Sequence, residues 1–220
     1  MAGLFFALFA TQIVEAQCVI TSKPDGCVGV SENFTVSGAP VSAPYDSIVW
    51  VFNNGLDGKS TGVSVTNVWN KPTGGSSPAI PITIEVKVYK GGLVTCSAET
   101  KITIHANPIA DFRLLSSAVQ CYKGNSFSFE NLTTTPSGNP IVFLENVFGD
   151  KYPLRDSIPN PIPKTLGPHH MTVAKTGGKY DNDLKVIDSK GCVSSISKQN
   201  IIEIKPDIGA NFSTNDPKDC

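Results

Sequence analysis

Charge is scarce in this sequence and evenly spread. Asp, Glu, Lys and Arg make up 17% of 220 residues, and the formal net charge is −1. Lys and Arg form no stripe that could release counterions from nucleic acid, and no polybasic segment that could hold an anionic membrane; both kinds of partner are set aside. Histidine is rarer still, with only His105, His169 and His170. No Ser, His and Asp grouping resembles a nucleophile elbow, and no Gly-rich loop could cradle a phosphate. Helical periodicity is missing, and beyond residue 17 no apolar stretch approaches the roughly 20 residues of a membrane span. The expectation is a chain that is not an enzyme and carries no cofactor.

What is abundant points to strands. There are 19 Gly and 16 Pro, too many breakers for long helices. Ile82-Thr-Ile84-Glu-Val86-Lys-Val88 alternates apolar with polar residues, as does Phe127-Ser-Phe129. That period of two marks half-buried antiparallel strands. Lys90-Gly91-Gly92 and Asp188-Ser-Lys-Gly191 supply turn chemistry between strands.

The first 17 residues read as a secretory leader. Leu4 to Ala10 is an apolar run too short to span a bilayer, and Ala16-Gln17 would lie near its cleavage site. No Lys or Arg precedes the run, so either the true start lies upstream or the leader is unusual. Glu15-Ala16-Gln17 before Cys18 lacks the pattern of a lipoprotein signal. Six cysteines in an exported chain predict disulfides, and the expected location is secreted or at the cell surface.

Self-comparison is the most informative operation. Cys27 recurs as Cys121 at an offset of 94; Phe52 recurs as Phe148 and Cys96 as Cys192 at 96. Val88 recurs as Val186 at 98, and Ala110-Asp111-Phe112 as Ala210-Asn211-Phe212 at 100. An offset that grows slowly while landmark order stays fixed means small loop insertions in a tandem repeat. The repeat predicts one module over 18–107 and a second over 108–207, each ending on an alternating strand (Ile102-Thr-Ile104, Ile202-Glu-Ile204) followed by Pro108 or Pro206. Residues 208–220 then read as the start of a third copy, cut short, within a longer array.

These residues resemble PKD domains, whose patterns are W-D-F-G-D-G in mid-domain and G-x-Y-x-V-x-L-x-V-x-D-x-x-G before the last strand. The second module holds Gly178-Lys-Tyr180-Asp-Asn-Asp-Leu184-Lys-Val186-Ile-Asp188-Ser-Lys-Gly191, which departs from the latter only where Asn182 replaces the first Val. Its mid-domain motif, Asn146-Val147-Phe148-Gly149-Asp150-Lys151, keeps the central F-G-D. The first module keeps the aromatic frame instead, in Trp50-Val51-Phe52-Asn53-Asn54-Gly55. The resemblance covers about 190 residues. It implies an all-β chain of two tandem immunoglobulin-like antiparallel sandwiches, each of about seven strands. It also implies a bacterial protein, in which such modules serve as spacers of adhesin-like surface proteins or as accessory modules of secreted hydrolases that bind carbohydrate or protein. Partners would be neighbouring repeats and an unnamed protein or glycan.

Within that frame the motif residues read as structural. Trp50 and Phe52 lie two apart and share a strand face, and Tyr180 is placed to bond its hydroxyl to local backbone. Repeat equivalence pairs Cys27 with Cys96 and Cys121 with Cys192. That within-module pairing is the expectation; a sandwich sets such positions at opposite poles, so Cys27–Cys192 between stacked modules stays open as an alternative. Asp57, Asp150, Asp181, Asp183 and Asp188 are the acidic residues near turns that could supply calcium ligands, although Asp181-Asn-Asp183 offers only two. The adjacent His169 and His170, in a predicted loop, point apart and suit no shared metal. Asn33, Asn131 and Asn211 head glycosylation sequons, which a bacterial chain would leave bare. Trp69 is the best-placed aromatic for stacking on a sugar ring, ahead of Tyr45, Tyr89 and Tyr152, with core packing as its competing role.

Overall fold

The structure is a computed structural model that describes residues 17–38, 41, 44–52, 62–73, 79–150, 153–156, 162–172 and 176–207. The bulk of the expected leader, the expected third copy, Gly55, Asp57, Tyr152 and Asn211 lie outside them. Among the described residues the fifteen named elements are all strands.

The first sandwich is built from β1 (Val19–Thr21), β2 (Asp25–Cys27), β3 (Ser31–Ser37), β4 (Ser47–Phe52), β5 (Ser64–Val68), β6 (Ile82–Lys90) and β7 (Leu93–His105). One sheet runs β1-β3-β5 and the other β2-β7-β6-β4. The alternation seen in the sequence decides which side chains face inward: Phe34 and Val36 from β3, Ile48, Trp50 and Phe52 from β4, and Ile84, Val86 and Val88 from β6 are all buried. Phe34 packs edge-on against Phe52 and tilted against Trp50, with ring centroids 5.4 and 6.3 Å apart. Gly91 and Gly92, at φ of 60° and 76°, make the tight turn between β6 and β7. Two left-handed residues in succession match the right-handed twist of the flanking strands.

The second sandwich repeats this order with β8 (Phe112–Leu114), β9 (Val119–Cys121), β10 (Phe127–Asn131), β11 (Ile141–Phe148), β12 (Pro153–Asp156), β13 (Thr165–His169), β14 (Gly178–Asp188) and β15 (Val193–Lys205). Its sheets run β8-β10-β13 and β9-β15-β14-β11-β12. In both sandwiches the last strand pairs in parallel with a short early strand, β2 with β7 and β9 with β15, while the other pairs whose register is described are antiparallel. This strand order is that of immunoglobulin-like sandwiches. The second core gathers Phe112, Phe127, Phe129, Phe148, Leu184, Val186, Ile202 and Ile204. His169 closes strand β13 instead of lying in a loop, because β13 is an edge strand and an edge tolerates Pro168.

By compactness, the described residues fall into two units. The first draws on 17–24, 31–67 and 82–102, and the second on 25–30, 68–81 and 103–207.

The cysteine pairing differs from repeat equivalence. The bonds are Cys18–Cys96, with Cα atoms 5.8 Å apart, and Cys27–Cys192, at 5.4 Å. Cys121 is also disulfide-bonded. Strand length explains why Cys121 and Cys192 are not partners. Cys121 sits opposite Lys205, whereas Cys192 immediately precedes β15, so the two are separated by the length of that strand, about 40 Å. Cys27 likewise lies opposite His105 at the end of β7, about 30 Å along the strand from Cys96.

Candidate functional site

Strands β11 and β14 of the second unit pair in the register of β4 and β6. Trp50 faces Val86 and Phe52 faces Ile84; Asn146 faces Leu184 and Phe148 faces Asn182. Position by position, asparagine stands at 146 where the first sandwich has Trp50, and at 182 where it has Ile84. Both asparagines point inward and are fully buried. Neither the oxygen nor the nitrogen of either carboxamide meets a hydrogen-bond partner in the protein. A buried polar group left unpaired costs about 1–3 kcal/mol, so two such side chains are a marked expense in a core of this size. Trp50, by contrast, is packed against Phe34 and Phe52, and its indole N–H donates to the Gly62 carbonyl at 3.1 Å.

A cavity of about 180 Å³ opens beside Asn146, lined by Leu144, Asn146, Pro163, Thr165, Leu166, Gly167 and Pro168. It lies between β11 of one sheet and β13, an edge strand of the other. The walls are polar and apolar in about equal measure, and no charged side chain lines them. At the end of β13, His169 stacks on Phe148 with centroids 3.9 Å apart and planes within 10°. Its Nε2 lies 2.7 Å from Oδ2 of Asp150, whose side chain is wholly buried. His170 turns the other way, its Nδ1 meeting the Asn125 carbonyl. The two histidines therefore do point apart, as adjacent residues on an extended chain must.

A second polar cluster in the same unit joins Asp25, His105 and Lys190. Oδ1 of Asp25 lies 2.7 Å from His105 Nε2, and Oδ2 lies 3.0 Å from Lys190 Nζ. Burial raises the Asp25 carboxyl, but hydrogen bonds from His105 and Lys190 and their charge outweigh it and hold the group below its ordinary value. The cluster adjoins the Cys27–Cys192 bond in sequence on both sides and ties its two chain segments together.

The remaining motif residues have local duties. Asp188 accepts from the backbone N–H groups of Lys190 and Cys192, both at 2.9 Å, and from Asn139 Nδ2 at 3.2 Å. Gly191 closes that turn at φ 82°. A Cβ on Gly149 would come within 2.7 Å of the Tyr180 Cβ, so the glycine makes room for the tyrosine. The Tyr180 hydroxyl donates to the Gly177 carbonyl at 3.4 Å, beside Gly178. Leu184 and Val186 are fully buried. Asp181 accepts from the Asn200 N–H at 2.7 Å, at the edge of an open polar cleft that Asp183 also lines. Among the described residues no three His, Cys, Asp or Glu side chains converge as a metal would need. Trp69 is 4% exposed and offers no face to a sugar; the competing core role is the one it takes. Asn146 and Asn182 were visible in the sequence as two of the departures from the motifs, beside Val147 and Lys151, without a sign that both face one interior.

No family model matches the chain, and no curated protein matches it. Similar solved structures are β-sandwich proteins. One is described as the structural basis for the promiscuous specificity of carbohydrate-binding modules from the β-sandwich superfamily, at 13% identity over 89% of this chain and 86% of that one, with a TM-score of 0.35. Another is a two-domain fibronectin type III segment of chicken tenascin, at 12% identity, 83% and 97% coverage and a TM-score of 0.33. A third holds the N-terminal four immunoglobulin domains of Dscam1 isoform 8.4, at 16% identity, 83% and 42% coverage and a TM-score of 0.27. Scores this low add nothing to the strand order described above.

Proposed function

We propose that this chain is a non-catalytic spacer and interaction segment of a larger secreted or cell-surface protein, bacterial and adhesin-like, built from PKD-type modules at 18–107 and 108–207 with a third beginning at 208. The Cys27–Cys192 bond carries this reading. It joins residues 165 apart in sequence. Tension applied at residues 18 and 207 would run from Cys18 to Cys27, across the bond, and out from Cys192. Residues 28–191 stand outside that path, while β1, β2 and β15 lie on it. A spacer exposed to shear needs this property, and an oxidising compartment is needed to form the bond.

Recovery of the protein from its native cells without reductant tests the reading. Surface-exposed or released protein with oxidised cysteines is the expected result. Protein retained in the cytosol with free thiols would overturn it.

A further inference from the structure

We propose that Glu32 and Asn67 form a proton-operated latch, which holds together the two ends of the 31–67 segment when Glu32 is neutral and releases them when it is charged. The inference stands independently of the spacer role.

Three observations converge on it. Side-chain contacts fix the pairing of β3 with β5: Thr35 Oγ1 lies 3.0 Å from Ser64 Oγ, and Thr66 Oγ1 donates to Asn33 Oδ1 at 2.9 Å. Glu32 and Asn67 therefore face each other on the rung beyond, and the alternation of burial along both strands turns both side chains inward. Glu32 is only 5% exposed, and among the described residues its carboxyl makes no hydrogen bond or ion pair. Asn67 keeps its Nδ2 buried and equally unpaired. The two are also the second and the last residues of the 31–67 segment of the first unit, so this rung is where the segment's ends meet.

The switch follows from the chemistry of the two groups. A neutral carboxyl offers one donor and one acceptor, and a carboxamide answers both. An ionised carboxylate only accepts, and a single amide donor does not offset its loss of water. Burial accordingly holds the Glu32 carboxyl above its ordinary 4.5, and the charge of Lys23, beyond the end of β1, cancels only part of the shift. The inward side chains of the facing sheet in this unit, Phe52, Ile84 and Ile102 among them, carry no charge. The stabilisation of the neutral form is therefore complete below 4.5 and is lost as pH rises through the raised folded value. Acid tightens this end of the first unit, the reverse of its action through a carboxylate held in ion pairs.

The test is carboxyl titration and amide hydrogen exchange, both by NMR, on the oxidised and isotope-labelled protein. The Glu32 side-chain carboxyl should titrate with a midpoint above 4.5. Protection of the Glu32, Asn33, Thr66 and Asn67 amides, corrected for intrinsic exchange, should be at least about threefold higher at about pH 4 than at about pH 7. Val86 and Val88, in the centre of the other sheet, should show no such rise. Glu32→Gln, a neutral isostere, should give the higher protection at both pH values. If that variant fails to fold, the titration and exchange of the wild type decide alone. The proposal is overturned by a midpoint at or below 4.5, by equal protection of the rung at the two pH values, by an equal rise at Val86 and Val88, or by a folded Glu32→Gln that keeps the wild-type response.

Discussion

Asn146 and Asn182 lie diagonally across the β11–β14 ladder, both wholly buried and neither bonded through its carboxamide to the protein. Between them stand Phe148 and Leu184, the ordinary apolar neighbours of a sandwich interior. The first sandwich places Trp50 and Ile84 at the matching positions and closes its core with them. At these two positions one fold thus carries apolar side chains in one interior and unpaired carboxamides in the other.

Replacing Asn182 by the residue at its counterpart tests that contrast. Asn182→Ile removes two unpaired polar atoms and adds apolar volume, so it should raise the unfolding free energy by about 1–3 kcal/mol. Chemical denaturation of the oxidised protein measures the change. A loss of stability would mean that the carboxamide is satisfied.

Gly149 and Gly191 should respond differently to alanine. At Gly149 the new Cβ meets the Tyr180 Cβ at 2.7 Å and the Asp181 carbonyl at 3.0 Å, and the cost should be about 1–3 kcal/mol of overpacking. At Gly191 the space is open but φ is +82°, so only the backbone preference is lost, roughly 1 kcal/mol. Paired denaturation curves should rank Gly149→Ala as the more damaging; the reverse order would place the constraint in the backbone.

Acid should weaken the second unit through Asp25. Its folded-state pKa lies below the ordinary 3.8, so the unfolded chain takes up the proton first as pH falls. The contribution is therefore complete above 3.8 and is lost as pH drops through the depressed folded value. Denaturation midpoints followed from about pH 6 to about pH 2 should fall less steeply in Asp25→Asn than in the wild type. Equal slopes would show that His105 and Lys190 do not act on this carboxylate.

Much of this was legible in the residues. The alternation over 82–88 marked β6 and its buried face, and the recurrence of Phe52 as Phe148 and of Val88 as Val186 showed that the two sandwiches repeat one another. The Asp188-x-x-Gly191 turn could be read as turn chemistry, and the structure adds which N–H groups the carboxylate holds. The disulfides were less legible, because equivalent cysteines share a position in the repeat, whereas bonding requires proximity. Strands of 13 residues carry those equivalents to opposite ends. His169 was hidden by Gly167-Pro168, a pair that breaks a central strand and is admitted at an edge. The cavity needed three dimensions, since Asn146 and the 163–168 segment meet only across the two sheets.

Single-molecule extension of the oxidised protein, held at residues 18 and 207, tests the spacer account most directly. With Cys27–Cys192 intact the chain should lengthen to about 24 residues of extended backbone, roughly 80 Å. After reduction it should reach about 190 residues, roughly 650 Å. An oxidised chain that extended as far as the reduced one would contradict the account.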